Sequence, residues 1–181
     1  RRLQVCLRDS RPPVAPLALD EIDHLSRNLH FCQGRHEFTV TDEHRLMAKH
    51  AYYGMISYVD SKIAQLRLAL EQTKMNENTV VIFTADHGEM MGERGMWYKQ
   101  HFFEWAARVP LIVHAPSRMK PQTIEKNCSL VDLMPTLLDL ASDEEFKDYV
   151  QPIDGQSLMP ALYGDSPFSY TTLTLPTNYP M

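Results

Sequence analysis

The sequence predicts an α/β domain in which helices flank a mixed or largely parallel sheet. The first observation is a long amphipathic helix over residues 41–74, followed by a short turn. The second is a continuous run of β-branched and apolar residues at 79–84, and the third is a similar apolar run at 109–114. The first of these runs is typical of a strand that is buried on both faces, and the second predicts another apolar strand. A helix, a turn and a buried strand form an α/β unit, which favours this fold class.

The long helix has a clear start and a clear apolar face. Thr41 supplies a capping hydroxyl, and Asp42 and Glu43 follow it, where free backbone N–H groups and the helix dipole favour acidic side chains. Apolar residues then recur at spacings of three and four, which predicts a face that packs on the core. These residues are Tyr52, Ile56, Val59, Ile63, Leu66 and Leu70.

The remaining segments give a domain outline. Residues 1–40 contain three early prolines and a polar stretch without an apolar period, which predicts a connecting segment with at most a short helical turn. Residues 41–164 form the predicted α/β part, which ends with an amphipathic helix at 130–140, a turn at Asp154-Gly155 and a short helix at 157–163. Residues 165–181 are predicted to be a tail, because no charged residue occurs from 166 onward.

Composition excludes several classes of protein. The 181 residues carry 18 Lys+Arg and 23 Asp+Glu, a net charge of −5, which argues against a nucleic-acid-binding protein. No apolar run approaches the roughly 20 residues that a membrane span needs. The three cysteines are widely spaced and fit neither a disulfide framework nor a zinc site, which favours a reducing compartment and a cytoplasmic location.

The first candidate functional residues lie directly after the first predicted strand. Asp86, His87 and Gly88 follow it directly, and open α/β sheets bind ligands at the carboxyl ends of their strands. A carboxylate beside an imidazole provides two candidate metal ligands. The alternative is structural: Asp86 would cap a turn and His87 would bond to a backbone carbonyl.

A glycine-rich loop and a lysine follow. Gly88, Gly92 and Gly95 are three of the seven glycines of the chain, and such a loop can bring backbone close to a ligand. Lys99 is flanked in sequence by aromatic residues: Trp97, Tyr98, Phe102 and Phe103. A lysine held among aromatic side chains would present its charge in a low dielectric, which suits an oxyanion. The alternative is a lysine that extends to solvent from the end of a helix.

Several segments together resemble the sulfatase family of the alkaline-phosphatase superfamily, in matching order over about residues 41–164. They are residues 51–60, Phe83-Thr84-Ala85-Asp86-His87-Gly88-Glu89, Gly92-Glu93-Arg94-Gly95, Trp97-Tyr98-Lys99, Phe103-Glu104, residues 108–113, residues 132–140 and residues 154–158.

The resemblance implies an α/β/α sandwich and a sulfuric ester hydrolase. It implies that Asp86 and His87 bind a divalent cation, calcium in the first place and manganese or magnesium as alternatives. It also implies that Lys99 contacts the sulfate and the leaving-group oxygen. The expected substrate is a small-molecule sulfate ester, an alkyl sulfate such as choline sulfate, with Trp97 or Tyr98 placed to stack on a trimethylammonium group.

The sequence departs from the family at its nucleophile. Family members carry a Cys-x-Pro-Ser-Arg or Ser-x-Pro-Ser-Arg motif whose first residue becomes formylglycine, and none of the three cysteines here lies in such a motif. The paired aspartates that complete the metal site are also absent. We therefore expect a partial segment that holds half of the metal site and is inactive alone; the complete protein could be a homo-oligomer.

Two alternatives remain at this point. One is a phosphonate monoester or phosphodiester hydrolase of the same superfamily, and the other is a non-catalytic module. His101 is not part of the family pattern and receives no role.

Overall fold

The computed structural model describes residues 16–125, 127–141 and 153–164. The whole of the predicted tail, residues 165–181, and residues 1–15 of the predicted connecting segment lie outside the described residues. The chain divides into two compact units, Arg1–His114 and Ala115–Met181, which are considered separately.

The first unit contains three helices and four strands among its described residues. In chain order they are α1 His24–Cys32, α2 Asp42–Gln72, β1 Val81–Thr84, β2 Met90–Met91, β3 Trp97–Tyr98, α3 Glu104–Ala107 and β4 Leu111–His114. Short 3₁₀ turns lie at Arg35–Glu37, Asn76–Asn78 and Glu93–Gly95.

The predicted start of the long helix is confirmed. Thr41 is the N-cap of α2, and its hydroxyl accepts a hydrogen bond from the backbone N–H of His44 at 3.2 Å. The Nδ1 atom of His44 lies 3.4 Å from the backbone N–H of Thr41, which completes a reciprocal capping box. At the other end, Lys74 has a φ of 57°, a left-handed conformation that stops the helix.

The predicted burial of the apolar face of α2 is wrong for the described residues. Helix α2 contains no buried residue, and Leu66 is 67% exposed. The helix contacts the β2 region through charged side chains instead: Lys49 Nζ lies 3.8 Å from the buried carboxylate of Glu93. Periodicity identifies which face of a helix can be buried, but it does not specify what covers that face.

The strands form two antiparallel pairs. Strand β1 pairs with β4 in the register Val81↔His114 to Thr84↔Leu111, and β2 pairs with β3. Both predicted strands are present, each beginning two residues later than expected. The antiparallel pairing fits the mixed form of the predicted sheet. The expected burial of β1 on both faces is not found, because its four residues are only half-buried among the described residues.

The prediction of at most a short helical turn before residue 41 is wrong. Helix α1 has nine residues and begins after Asp23, whose carboxylate accepts a hydrogen bond from the backbone N–H of Ser26 at 2.9 Å. Burial raises the pKa of Asp23, but hydrogen bonds from Ser26 and Leu25 and the nearby His101 outweigh that effect, so the pKa is below its ordinary value. The helix is polar, and its buried Ser26 contacts a residue that is 75 positions away in sequence, His101, with 3.3 Å between Ser26 Oγ and His101 Nδ1.

A small apolar core lies beneath the loops that follow β1. Ile22, Met90, Met96 and Ala106 are buried together. Leu17, Phe103 and Trp105 are partly buried and pack against them. The segment between β1 and β4 therefore supplies most of the core on which its own loops rest.

Gly88 fixes the path of the chain after β1. Its N–H donates to the carbonyl of Ala106 at 2.7 Å, and the N–H of Glu89 donates to the carbonyl of Trp105 at 2.8 Å. A Cβ atom at position 88 would lie 2.0 Å from the Trp105 oxygen, so only glycine allows this approach.

The second unit is organised by Asp132, whose side chain is fully buried. Its two carboxylate oxygens accept hydrogen bonds from the backbone N–H groups of Ser129 at 2.7 Å and Gln156 at 2.9 Å. Thr136 accepts from the N–H of Leu158 at 2.8 Å and donates to the Asp132 carbonyl. These bonds join helices α4 Leu133–Ala141 and α5 Met159–Tyr163, both near their predicted positions, through the predicted turn at Gly155.

No helix in the described part of the chain combines the length and apolarity that crossing a membrane requires.

Replacing Gly88 with alanine should destabilise the first unit by about 1–3 kcal/mol, because the new methyl group would collide with the Trp105 carbonyl. Gly54 provides a matched control: it lies inside α2 with open space around it, so Gly54→Ala should stabilise the chain by about 0.5–1 kcal/mol. Urea unfolding of both variants measures the difference. Equal midpoints would contradict the proposed close contact at Gly88.

Candidate functional site

Asp86 and His87 lie immediately after β1 and bond to their own neighbours. The carboxylate of Asp86 accepts a hydrogen bond from the backbone N–H of His87 at 3.0 Å. The Nδ1 atom of His87 lies 2.6 Å from the carbonyl oxygen of Gly88. Because a carbonyl can only accept, Nδ1 carries the proton. The structural contacts that the sequence offered as an alternative are therefore present.

The same contacts leave one carboxylate oxygen and one imidazole nitrogen free to face a ligand. A proton on Nδ1 leaves the lone pair of His87 on Nε2, which is the state of a neutral imidazole ligand. This Nε2 atom lies 3.5 Å from Oδ2 of Asp86. Metal–oxygen and metal–nitrogen bonds of about 2.0–2.6 Å allow two atoms at that separation to contact one cation. The side chains are 85% exposed at Asp86 and 34% exposed at His87, so an ion could reach them.

These two residues supply only part of a coordination shell. In residues 16–125, 127–141 and 153–164, no group of three or more His, Cys, Asp or Glu side chains is arranged to hold a metal ion. A hard divalent cation takes six to eight ligands, so further ligands would have to come from elsewhere. The role of Asp86 and His87 as metal ligands stays a prediction.

Lys99 lies in a turn after β3 and not at a helix end. Tyr98 has a φ of 68° and Gln100 a φ of 76°, so left-handed residues flank the lysine on both sides. The expectation that Lys99 is held among aromatic side chains in a low dielectric is wrong for the described residues: Lys99 is exposed, and Phe102 is 87% exposed. Sequence adjacency places aromatic residues next to a lysine without turning them toward it.

The two aromatic residues before Lys99 lie in different surroundings. Trp97 is partly buried, and its ring lies 3.5 Å from the position that a Cβ atom on Gly92 would occupy. Tyr98 is exposed. Of the two, Tyr98 is therefore the one whose ring is accessible to a cationic group, and a substrate-binding role for either residue stays a prediction.

His101 is the notable residue that the sequence did not indicate. It is 5% exposed and connects two separate parts of the first unit. Its Nδ1 atom lies 3.3 Å from the Ser26 hydroxyl in α1, and its Nε2 atom lies 3.2 Å from the carbonyl of Trp97. No local pattern around position 101 could reveal a partner that is 75 residues away.

The cysteines provide no sign of a catalytic nucleophile. Cys32 and Cys128 are exposed free thiols among the described residues, and Cys6 lies outside them. For Cys128, partial burial of the thiol and the charge of Asp132 raise the pKa, which disfavours the reactive thiolate.

Comparison with known proteins identifies the family. The sequence model of the family described as Sulfatase matches residues 29–143. A choline-sulfatase from Rhizobium meliloti (strain 1021) is 39% identical over 155 residues, which are 84% of this chain and 30% of the relative. An arylsulfatase K from Gallus gallus is 36% identical over 141 residues, which are 78% of this chain and 25% of the relative.

A solved structure shows the same fold. The phosphonate monoester hydrolase SpPMH from Silicibacter pomeroyi superimposes with a TM-score of 0.74 at 30% identity, covering 90% of this chain and 34% of that protein. This likeness confirms the predicted α/β class and the alkaline-phosphatase-like sandwich. The chain spans about a quarter to a third of the length of the relatives that it matches. The chain therefore belongs to the sulfatase family, and it corresponds to part of the length of the family members that it matches.

Proposed function

We propose that this chain is the segment of a sulfuric ester hydrolase that carries half of a metal site and the cationic lysine, and that the complete enzyme hydrolyses a small alkyl sulfate such as choline sulfate. The observation that carries the proposal is the pair of atoms after β1, Asp86 Oδ2 and His87 Nε2, 3.5 Å apart and accessible. Membership of the sulfatase family supports the reaction class.

The metal-binding role follows from the donor set. One carboxylate oxygen and one neutral imidazole fit a divalent cation, calcium in the first place, with manganese favoured by the nitrogen ligand and magnesium as a further alternative. When bound, such an ion neutralises negative charge on the sulfate oxygens. Asp86 would contribute a formal negative charge and a neutral His87 none, so the pair would hold a dication without fully cancelling its charge.

Lys99 supplies the second positive charge. Its ammonium group is exposed and pairs with no carboxylate in the described part of the chain, so it is available to an anion. As the S–O ester bond breaks, negative charge develops on the leaving oxygen, and a nearby ammonium lowers the energy of that state. This effect is greatest for an alkyl leaving group, which stabilises the charge poorly by itself.

The nucleophile would come from a part of the enzyme that this sequence does not contain. A formylglycine hydrate is the expected group, and none of the three cysteines of this chain lies in the required motif. We therefore propose that the 181 residues alone do not turn over sulfate esters, and that residues 41–164 are part of the catalytic domain.

The identity of the substrate, the cellular location and the oligomeric state are proposals as well. The exposed ring of Tyr98 favours contact with a trimethylammonium group, which supports choline sulfate. The exposed free thiols of Cys32 and Cys128 are compatible with a reducing compartment, and a cytoplasmic location stays a prediction. So does a homo-oligomeric state of the complete protein.

The second candidate is hydrolysis of phosphonate monoesters. The superposition on SpPMH, with a TM-score of 0.74, favours it, because the chain follows that hydrolase over 90% of its residues. Sulfate and phosphonate esters present similar tetrahedral oxyanions, so the same cation and lysine could serve either substrate.

Manganese should bind weakly to the wild-type chain and should not bind to Asp86→Asn. If the ion contacts Asp86 and His87, binding at ten times its Kd raises the free energy of unfolding by about 1.4 kcal/mol. Electron paramagnetic resonance of Mn²⁺ and thermal unfolding measure the two effects. Glu104→Gln is the matched control, because that exposed carboxylate already pairs with Arg108 at 3.6 Å. Equal manganese affinity of Asp86→Asn and Glu104→Gln would show that Asp86 does not bind the ion.

Lys99→Met in the complete enzyme should lower kcat for choline sulfate by about 10²–10³-fold. The loss should be smaller for 4-nitrophenyl sulfate, because that leaving group stabilises its own negative charge. Steady-state kinetics on both substrates test this. Lys62→Met is the control, since Lys62 lies over the ring of Tyr58 on the exposed surface of α2. An equal loss on both substrates would argue against a role at the leaving oxygen.

The complete enzyme should have a higher kcat/KM for choline sulfate than for phenyl methylphosphonate. A trimethylammonium group adds a cation–π contact with Tyr98, worth about 0.5–1 kcal/mol at an exposed site. The ratio of the two values, measured on one preparation, is the test. A ratio in favour of the phosphonate would establish the second candidate, and turnover of neither would support a non-catalytic module.

A further inference from the structure

The turn that carries Lys99 is closed by a side chain. Residues Trp97 and His101 form its two ends, and the Nε2 atom of His101 lies 3.2 Å from the Trp97 carbonyl oxygen. Within the turn, Tyr98 and Gln100 both adopt left-handed backbone conformations, which are disfavoured for residues other than glycine. Such a backbone needs surrounding contacts to hold it, and the imidazole supplies one across the turn.

His101 is itself buried and contacted on several sides. Its ring is buried and lies nearly parallel to that of Phe103, with 6.1 Å between centroids and 24° between planes. Its Nδ1 atom lies 3.3 Å from the hydroxyl of Ser26, a residue that is 1% exposed. Ser26 in turn donates its backbone N–H to the carboxylate of Asp23. A chain of contacts therefore joins the start of α1 to the turn.

The chemistry of these contacts fixes the protonation of the neutral ring. The Trp97 carbonyl can only accept, so Nε2 carries the proton and donates it. In the neutral ring Nδ1 is then an acceptor, and the Ser26 hydroxyl can donate to it. Both nitrogens are satisfied within the protein, which leaves the ring little freedom to rotate.

We propose that His101 is a positioning residue for Lys99: by holding the Trp97 carbonyl from within the core, it fixes the turn that presents the ammonium group to the substrate. This inference rests on the proposed role of Lys99. His101 would not touch the substrate. It would connect the exposed lysine to the buried surface of α1, over a distance in sequence that no local motif reveals.

The first test uses the 181-residue chain and is independent of activity. Nitrogen-15 NMR of the histidine rings should show His101 with its proton on Nε2. Backbone amide shifts of residues 97–101 should change in His101→Asn and stay close to wild type in His101→Gln. The reason is that the amide nitrogen of glutamine lies near the position of Nε2, whereas the shorter asparagine cannot reach the Trp97 carbonyl. His50→Gln, an exposed histidine on α2, is the control.

A proton on Nδ1 of His101, or identical amide shifts in the asparagine and glutamine variants, would overturn the inference. The wild-type spectrum alone decides the first point, so the test stands even if a variant does not fold.

The second test is a double-mutant cycle in the complete enzyme. We expect His101→Asn to lower kcat for choline sulfate at least 10-fold with KM changed less than threefold, and His101→Gln to recover activity to within about threefold of wild type. In a Lys99→Met background, His101→Asn should cause no further loss, because the two residues act as one unit.

The outcomes separate the two proposals. An equal loss from His101→Asn with and without Lys99 would show a general effect on folding and would overturn the positioning role. If Lys99→Met itself leaves kcat unchanged, the proposed function fails, and the NMR result still decides whether His101 fixes the turn.

Discussion

The close approach of two backbone segments at Gly88 organises the first unit. The N–H groups of Gly88 and Glu89 donate to the carbonyls of Ala106 and Trp105, and the chain can come this near only because position 88 has no Cβ atom. These bonds connect the end of β1 to α3. Residues 90–104 consequently form a loop whose two ends are held together. Holding the ends together reduces the conformational entropy of the loop.

That closure explains how a small core can order a large loop. Met90 and Met96 point into the core beside Ala106, and the β2–β3 hairpin and the Phe103 ring pack around them. The predicted site residues lie on either side of the connection at Gly88. Asp86 and His87 precede the connection at Gly88, and Lys99 follows the hairpin. In sequence, the connection at Gly88 therefore lies between the predicted metal ligands and the predicted anion-binding lysine.

Local chemistry could be predicted from the sequence, and long-range contacts could not. The Thr41 cap and the strand at 81–84 depend on neighbours within a few residues, so their patterns were sufficient. Helix α1 depends on Ser26 meeting His101, 75 residues away, and polar composition gave no sign of it. The predictions that Lys99 lies in a low dielectric and that the apolar face of α2 is buried were wrong for a related reason. Pattern indicates which side chains share a surface, whereas burial depends on what meets that surface.

His87 shows why the structural and the functional interpretations of a motif need not compete. An imidazole has two nitrogens, and the bond from Nδ1 to the Gly88 carbonyl is the structural contact. With the proton on Nδ1, the lone pair of the neutral ring lies on Nε2, which is 3.5 Å from Asp86 Oδ2. A histidine that donates to the backbone through one nitrogen therefore keeps the other nitrogen available, as the predicted role of a ligand requires. His101 uses both of its nitrogens within the protein and has no atom left for an ion. The two histidines differ in this respect, and only the first can take part in metal chemistry.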